Sequence, residues 1–182
     1  MTGQGPIAGV IPILQSPFLQ DGAFDADSLA HQVEAAVSAG ADGVAFPGFV
    51  SEWWKLSDRE IGEAAEVIVA SVRGRVPVVL NVTAQSGYHA ARQAREFRRL
   101  GASALMCLPP FAIPTGQDAV LDHLRTVMEA GELPFILQYS PSLTGTRLDA
   151  RVLAGLRRSC PQFCSVKVDF IPTGPAITEL RT

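Results

Sequence analysis

A regular alternation of short strand-like runs with amphipathic helical stretches constrains this chain more than any other feature. "GVIPILQ" (9–15) reads as a strand, and "DADSLAHQVEAAVSAG" (25–40) follows with Leu29, Val33 and Ala36/Val37 at helical spacing. "ADGVAF" (41–46) is the next strand. "LSDREIGEAAEVIVASV" (56–72) opens on Ser57 and Glu60, the two halves of a capping box, and sets Ile61, Ala65, Ile68 and Val72 on one face. "VPVVLNV" (76–82) precedes a helix whose apolar line is Ala90, Ala94, Phe97 and Leu100. "ASALMCL" (102–108) precedes one built on Val120/Leu121, Leu124 and Val127/Met128. "PFILQYS" (134–140) leads to a weaker helix around 149–158, "CSVKVDF" (164–170) is a sixth strand, and "PAITELRT" begins another helix.

Strands that alternate with helices over short connections form a parallel sheet, either a closed barrel or a doubly wound open sheet. No strand runs into a GxGxxG or GxxxxGK[ST] loop, which argues against a nucleotide-binding open sheet. Side-chain parity favours the barrel. Val78, Leu80 and Val82 share one face of their strand while Val79, Asn81 and Thr83 share the other. Phe135, Leu137 and Tyr139 oppose Ile136, Gln138 and Ser140, and Val166, Val168 and Phe170 oppose Ser165, Lys167 and Asp169. Each strand thus has an apolar face for helices and a face that turns polar towards its C-terminal end, where barrels of this kind hold their sites. The expected fold is α/β, a (β/α)8 TIM barrel, with residues 1–182 forming a single partial domain of about six β/α units. Such a chain is either a fragment of a longer protein or an incomplete barrel whose open edge something else must cover.

Within this pattern Lys167 stands out. It sits between Val166 and Val168, where an ammonium is costly to bury unless it is paired, neutralised or able to snorkel to water. The bulk composition supplies few other leads. A formal charge of −3 leaves no polybasic face, so nucleic acid and anionic membrane are excluded as expected partners. No apolar run approaches a membrane span and "MTGQGPIAGV" has no secretory pattern, so a cytoplasmic location is expected. Cys107, Cys160 and Cys164 are too few for a disulfide framework, and "CPQFC" matches neither a CxxC motif nor a zinc knuckle. His31, His89 and His123 lie far apart, and no metal site assembles from spacing.

Taken in order, several segments resemble the dihydrodipicolinate synthase/N-acetylneuraminate lyase family of class I aldolases. They are "GVIPILQSPFLQDGAFDADSL", "GFVSEWWKLSDRE", "GRVPVVLNVTA", "LPPFAIPTGQD", "LPFILQYSPSLTG" and "SVKVDFIPTGP". The resemblance implies that Lys167 forms a Schiff base with the keto group of pyruvate or another 2-keto acid, the covalent imine serving in place of a cofactor. Attack on a carbonyl requires the neutral amine, and the resulting iminium draws electrons from the adjacent carbon so that a carbon–carbon bond can form or break. A homo-oligomer, dimer or tetramer, is implied as well.

The same resemblance exposes departures. Where the family carries a GTTGE-like loop of proton-relaying hydroxyls, this chain has "GFVSE", placing Phe49 and Val50 at the hydroxyl positions and keeping Glu52. The catalytic tyrosine that opens the family's YNxP motif corresponds to Gln138, with Tyr139 one residue off and on the opposite face by parity. The tyrosine supplied across a subunit interface corresponds to Phe111, and the carboxylate-binding arginine of the synthases to Leu143. Supporting roles fall to Thr83 and Gln85, facing the mouth by parity, and to Asp169, which shares the face of Lys167 and can pair with it or accept its proton. The expected function is a Schiff-base lyase on a 2-keto acid that is not a true dihydrodipicolinate synthase. The alternative is an inactive barrel or a small-molecule-binding relic that keeps the lysine by descent.

Overall fold

The computed structural model describes residues 7–113 and 115–181. They pack as two compact units, the first holding the chain to Asn81 with Arg99–Ala104, the second Val82–Arg98 with Leu105 onwards.

In the first unit, helix α1 (Ala26–Ser38) starts where the Asp25 carboxylate accepts the Ser28 N–H. Its Leu29 and Val33 are buried, as are Ile61, Ala64, Ala65, Ile68 and Val72 of α2 (Asp58–Val72), the helix packed against it. The capping box on α2 forms as its sequence implies, with the Ser57 hydroxyl accepting from the Glu60 N–H and the Glu60 carboxylate accepting from the Ser57 N–H. Strand β1 (Val44–Phe46) runs parallel to β2 (Val78–Val82) in the register Val44↔Val78 to Phe46↔Leu80. The start of β3 (Ala104–Cys107) is tied to the foot of β2, where Ser103 donates its N–H to the Val78 carbonyl and accepts the Val78 N–H at its hydroxyl.

The expected first strand, 9–15, is an extended edge segment rather than a regular strand. It reaches β1 through the isolated parallel bridge Ile13↔Ala45. Pro12 has no N–H to donate, Gly9 takes a φ of +90°, and the Val10 N–H goes to the Asp42 carboxylate at 2.7 Å, so a continuous ladder cannot form.

The second unit holds most of β3, then β4 (Phe135–Tyr139) and β5 (Phe163–Val168), all parallel and in chain order. Helix α3 (Gly87–Leu100) begins the crossover into β3, α4 (Gln117–Gly131) links β3 to β4, and α6 (Ala150–Ser159) follows a short turn of helix, α5 (Pro141–Thr144). Helix α7 (Thr173–Arg181) follows β5. Every residue of β4 is buried, as a parallel strand covered on both faces should be. Phe97, Phe135, Leu124, Met128, Leu137 and Leu156 are among the largest fully buried side chains. Helix α5 lies outside the sequence expectations, although Pro141 at its start and Gly145 at φ +69° beyond its end are ordinary start and stop signals.

Among the described residues no helix is long and apolar enough to cross a membrane.

Replacing Phe97 by Ala leaves a large void under α3, and we expect it to cost about 3–5 kcal/mol in urea unfolding. A surface pair gives a prediction in pH. The Arg75 guanidinium grips the Glu34 carboxylate at 2.9 and 2.7 Å and holds it down from 4.5 to about 2. A depressed carboxylate stabilises the fold above its unfolded value and loses that contribution as pH falls through the folded one. The melting temperature of Glu34→Gln should therefore lie below that of the parent near neutral pH and converge with it as pH falls towards about 2.

Candidate active site

The site residues of the second unit are placed by the ladder between β4 and β5. Phe135 pairs with Phe163, but Ile136 pairs with Ser165, so Cys164 is an extra residue on β5. The Cys164 thiol donates to the Phe135 carbonyl at 3.1 Å, inside this irregularity. From there the register runs Leu137↔Val166, Gln138↔Lys167 and Tyr139↔Val168. Without the bulge Lys167 would stand opposite Tyr139, on the wrong face. With it, Lys167 and Gln138 project together.

Asp169 completes the cluster. One carboxylate oxygen, Oδ1, pairs with the Lys167 ammonium, and Oδ2 accepts a hydrogen bond from Gln138 Nε2 at 2.8 Å. The Asp169 backbone is fixed as well, its N–H donating to the Tyr139 carbonyl at 2.9 Å and its carbonyl accepting from the Ser140 hydroxyl at 3.1 Å. Gln138 and Ser140 are fully enclosed, whereas the side chains of Lys167 and Asp169 keep 36% and 21% of their surface. The Lys167 side chain is thus partly exposed while its counter-ion is held from four directions.

Tyr139 stands apart from the cluster. Its hydroxyl donates to the Leu148 carbonyl at 3.2 Å and accepts the Leu148 N–H at 3.1 Å, and its ring meets Phe170 edge-on at 5.4 Å. It anchors the loop between α5 and α6 on the face opposite Lys167. That apolar face also carries Val166 and Val168, which line a groove of about 1060 Å³ with Leu153, Ile177 and Leu180. Lys167 does not line this groove.

The remaining candidates occupy other places. Thr83 is half-buried just past β2. Gln85, expected to face substrate, instead braces the loop after β3, its side-chain carbonyl accepting the backbone N–H groups of Phe111 at 2.8 Å and Ala112 at 3.0 Å. In the first unit, Phe49 and Val50 lie on a single 3₁₀ turn, Phe49–Ser51, with Val50 exposed. Glu52 takes a φ of 50° and pairs with Lys55 at 2.9 Å on the surface, a structural arrangement. Ser51 emerges as the anchor of that loop, fully buried, donating to the Leu14 carbonyl and accepting the Gly48 N–H at 2.9 Å. Gly48 belongs there because a Cβ would lie 2.7 Å from Ile13. No three His, Cys, Asp or Glu side chains gather into a metal-binding group among the described residues.

The profile of the Dihydrodipicolinate synthetase family matches residues 6–171. The chain belongs to that family. It is 31% identical over 151 residues to an uncharacterised DapA-like lyase of Rhizobium meliloti, covering 83% of this chain and 50% of the relative. It is 31% identical over 179 residues to a 4-hydroxy-tetrahydrodipicolinate synthase of Stenotrophomonas maltophilia, covering 97% and 60%. Among solved structures, the dihydrodipicolinate synthase of Acinetobacter baumannii complexed with pyruvate superposes with a TM-score of 0.88 at 28% identity, covering 97% of this chain and 61% of that one. The chain therefore spans about 50–60% of the length of these relatives. The fold is that of the TIM-barrel members of the family, with part of the full set of β/α units present.

Tyr139→Phe should lose both hydrogen bonds to Leu148 and strand two buried backbone groups. We expect a loss of about 1–3 kcal/mol in unfolding experiments, with no change in the reactivity of Lys167.

Proposed function

We propose that the protein is a Schiff-base-forming lyase that acts on pyruvate or another 2-keto acid, with Lys167 as the nucleophile. The observation that carries this reading is the placement of Lys167. Its side chain is partly exposed, lies on the polar face of β5 and sets its amine against a carboxylate able to take its proton. Membership of the family supports the reading, as does the pyruvate complex of the Acinetobacter baumannii relative.

The lysine itself is unusual in this chain. Of its fifteen basic residues thirteen are arginine, and only Lys55 and Lys167 are lysine. Arginine serves for surface charge, but its guanidinium stays protonated and cannot attack a carbonyl. Lys55 lies on a surface 3₁₀ turn, Trp53–Lys55, away from the sheet, in an exposed pair with Glu52.

On this reading the neutral amine adds to the keto carbon, water leaves, and the iminium stabilises negative charge on the neighbouring carbon for carbon–carbon bond cleavage or condensation. The imine stands in place of a separate cofactor, and the working protein is a homo-oligomer. Substrate choice differs from that of the synthases, because the position of their carboxylate-binding arginine is occupied by Leu143, which is 60% exposed on α5.

Incubation with pyruvate and borohydride, followed by intact-mass and peptide analysis, tests the proposal. One reduced pyruvate should be found on Lys167, on the unsubstituted protein and on Lys55→Arg, but not on Lys167→Arg. Modification at Lys55, or none at all, would contradict it.

A further inference from the structure

We infer that Asp169 is the proton carrier for Lys167 and that Gln138 is the residue that positions it, so that this pair takes over the task of an absent tyrosine relay. The inference rests on the Schiff-base reading above and goes beyond it, since a nucleophilic lysine does not by itself require a carboxylate in contact with its amine.

Four bonds argue that Asp169 is built into the site rather than paired by chance. Its N–H and carbonyl are tied to Tyr139 and Ser140, its Oδ2 is held by Gln138, and its Oδ1 meets Lys167. In the exposed pair Lys55–Glu52 the acid's backbone is tied as well, to Phe49 and Lys55, so what sets Asp169 apart is a second side chain, Gln138, on its carboxylate. A carboxylate fixed through one oxygen leaves the other free to exchange a proton without moving.

Gln138 suits this role for a chemical reason. Its amide donates to Oδ2 but cannot itself gain or lose a proton near neutral pH, so it orients the acid and leaves the transfer to it. The charged groups the cluster brings together are Lys167 and Asp169. Strand β4 contributes the neutral Gln138, the residue after it the neutral Ser140, and Tyr139 is engaged with Leu148 on the other face.

The Lys167 ammonium passes one proton to the Asp169 carboxylate, and the freed lone pair forms the C–N bond as the carbonyl π pair moves to oxygen. A second proton leaves the new C–N ammonium for that alkoxide, giving the neutral carbinolamine. Asp169 then returns its proton to the carbinolamine hydroxyl, the C–O bond breaks, and water departs. The products are the iminium, water and the carboxylate in its starting state. That carboxylate then lies beside the iminium, placed to take a proton from the adjacent carbon.

The test measures the rate of trapping by pyruvate and cyanoborohydride on Lys167, as a function of pH, with melting curves to confirm folding. In Asp169→Asn the rate near neutral pH should fall roughly a hundredfold, with a change in the shape of its pH profile. Formate added to Asp169→Ala should restore part of the rate, because a free carboxylate can carry the proton even if it cannot restore packing. Gln138→Leu should show a smaller fall with a displaced pH profile. If the unsubstituted protein and Asp169→Asn trap pyruvate equally fast, or if formate has no effect on Asp169→Ala, the inference fails while the Schiff-base reading stands. If the unsubstituted protein forms no adduct, both fail together.

Discussion

The ladder between Phe135–Tyr139 and Phe163–Val168 is the interaction on which the site depends, because a strand has only two faces and a slip of one residue exchanges them. Its lower end is fixed by the Phe135 and Phe163 rings, 6.3 Å apart, and its upper end by the Asp169 N–H on the Tyr139 carbonyl. Between these points β5 spends one residue more than β4. The extra residue, Cys164, is what turns Lys167 towards Gln138 and sends Val166 and Val168 to the apolar side. Bulges of this kind re-aim side chains beside functional sites in many sheets.

Once the register is set, the chemistry of each face follows. Leu137, Tyr139, Val166 and Val168 place apolar surface on one side, where Tyr139 satisfies its hydroxyl entirely on the Leu148 backbone. Gln138, Ser140, Lys167 and Asp169 place donors and acceptors on the other, and they satisfy one another. A half-buried ion pair contributes little net stability, because the cost of desolvation offsets the attraction. Folding energy is therefore a weak explanation of the cluster, which is why we propose proton transfer as its use. Glu52, half exposed, is instead paired with Lys55 at the surface.

Much of this was legible in the sequence. The helices α1, α2 and α4 and the strands after them follow from apolar spacing, capping residues and β-branched runs, each of which acts locally. Parity alone put Gln138, Ser140, Lys167 and Asp169 on one side of their strands and Tyr139 on the other. The misreadings have non-local causes. The segment 9–15 has a strand's composition, but Pro12 and the Asp42 carboxylate disrupt its ladder, and the latter is a contact across 32 positions. Gln85 has a binding residue's chemistry, yet two backbone N–H groups of a distant loop claim its carbonyl. The bulge at Cys164 leaves no mark in composition, because a cysteine suits a regular strand equally well. Without the partner strand, its extra count cannot be seen.

The central claim is that the Cys164 bulge sets Lys167 against Gln138 and Asp169 on the polar face. A crystal structure of the protein after reduction with pyruvate tests this most directly. The account predicts electron density continuous from Lys167 Nζ, the Asp169 carboxylate still within hydrogen-bonding distance of Gln138 Nε2, and the Tyr139 hydroxyl on Leu148. A Lys167 side chain directed among Leu153, Ile177 and Leu180, or standing opposite Tyr139 in an unbulged ladder, would contradict it.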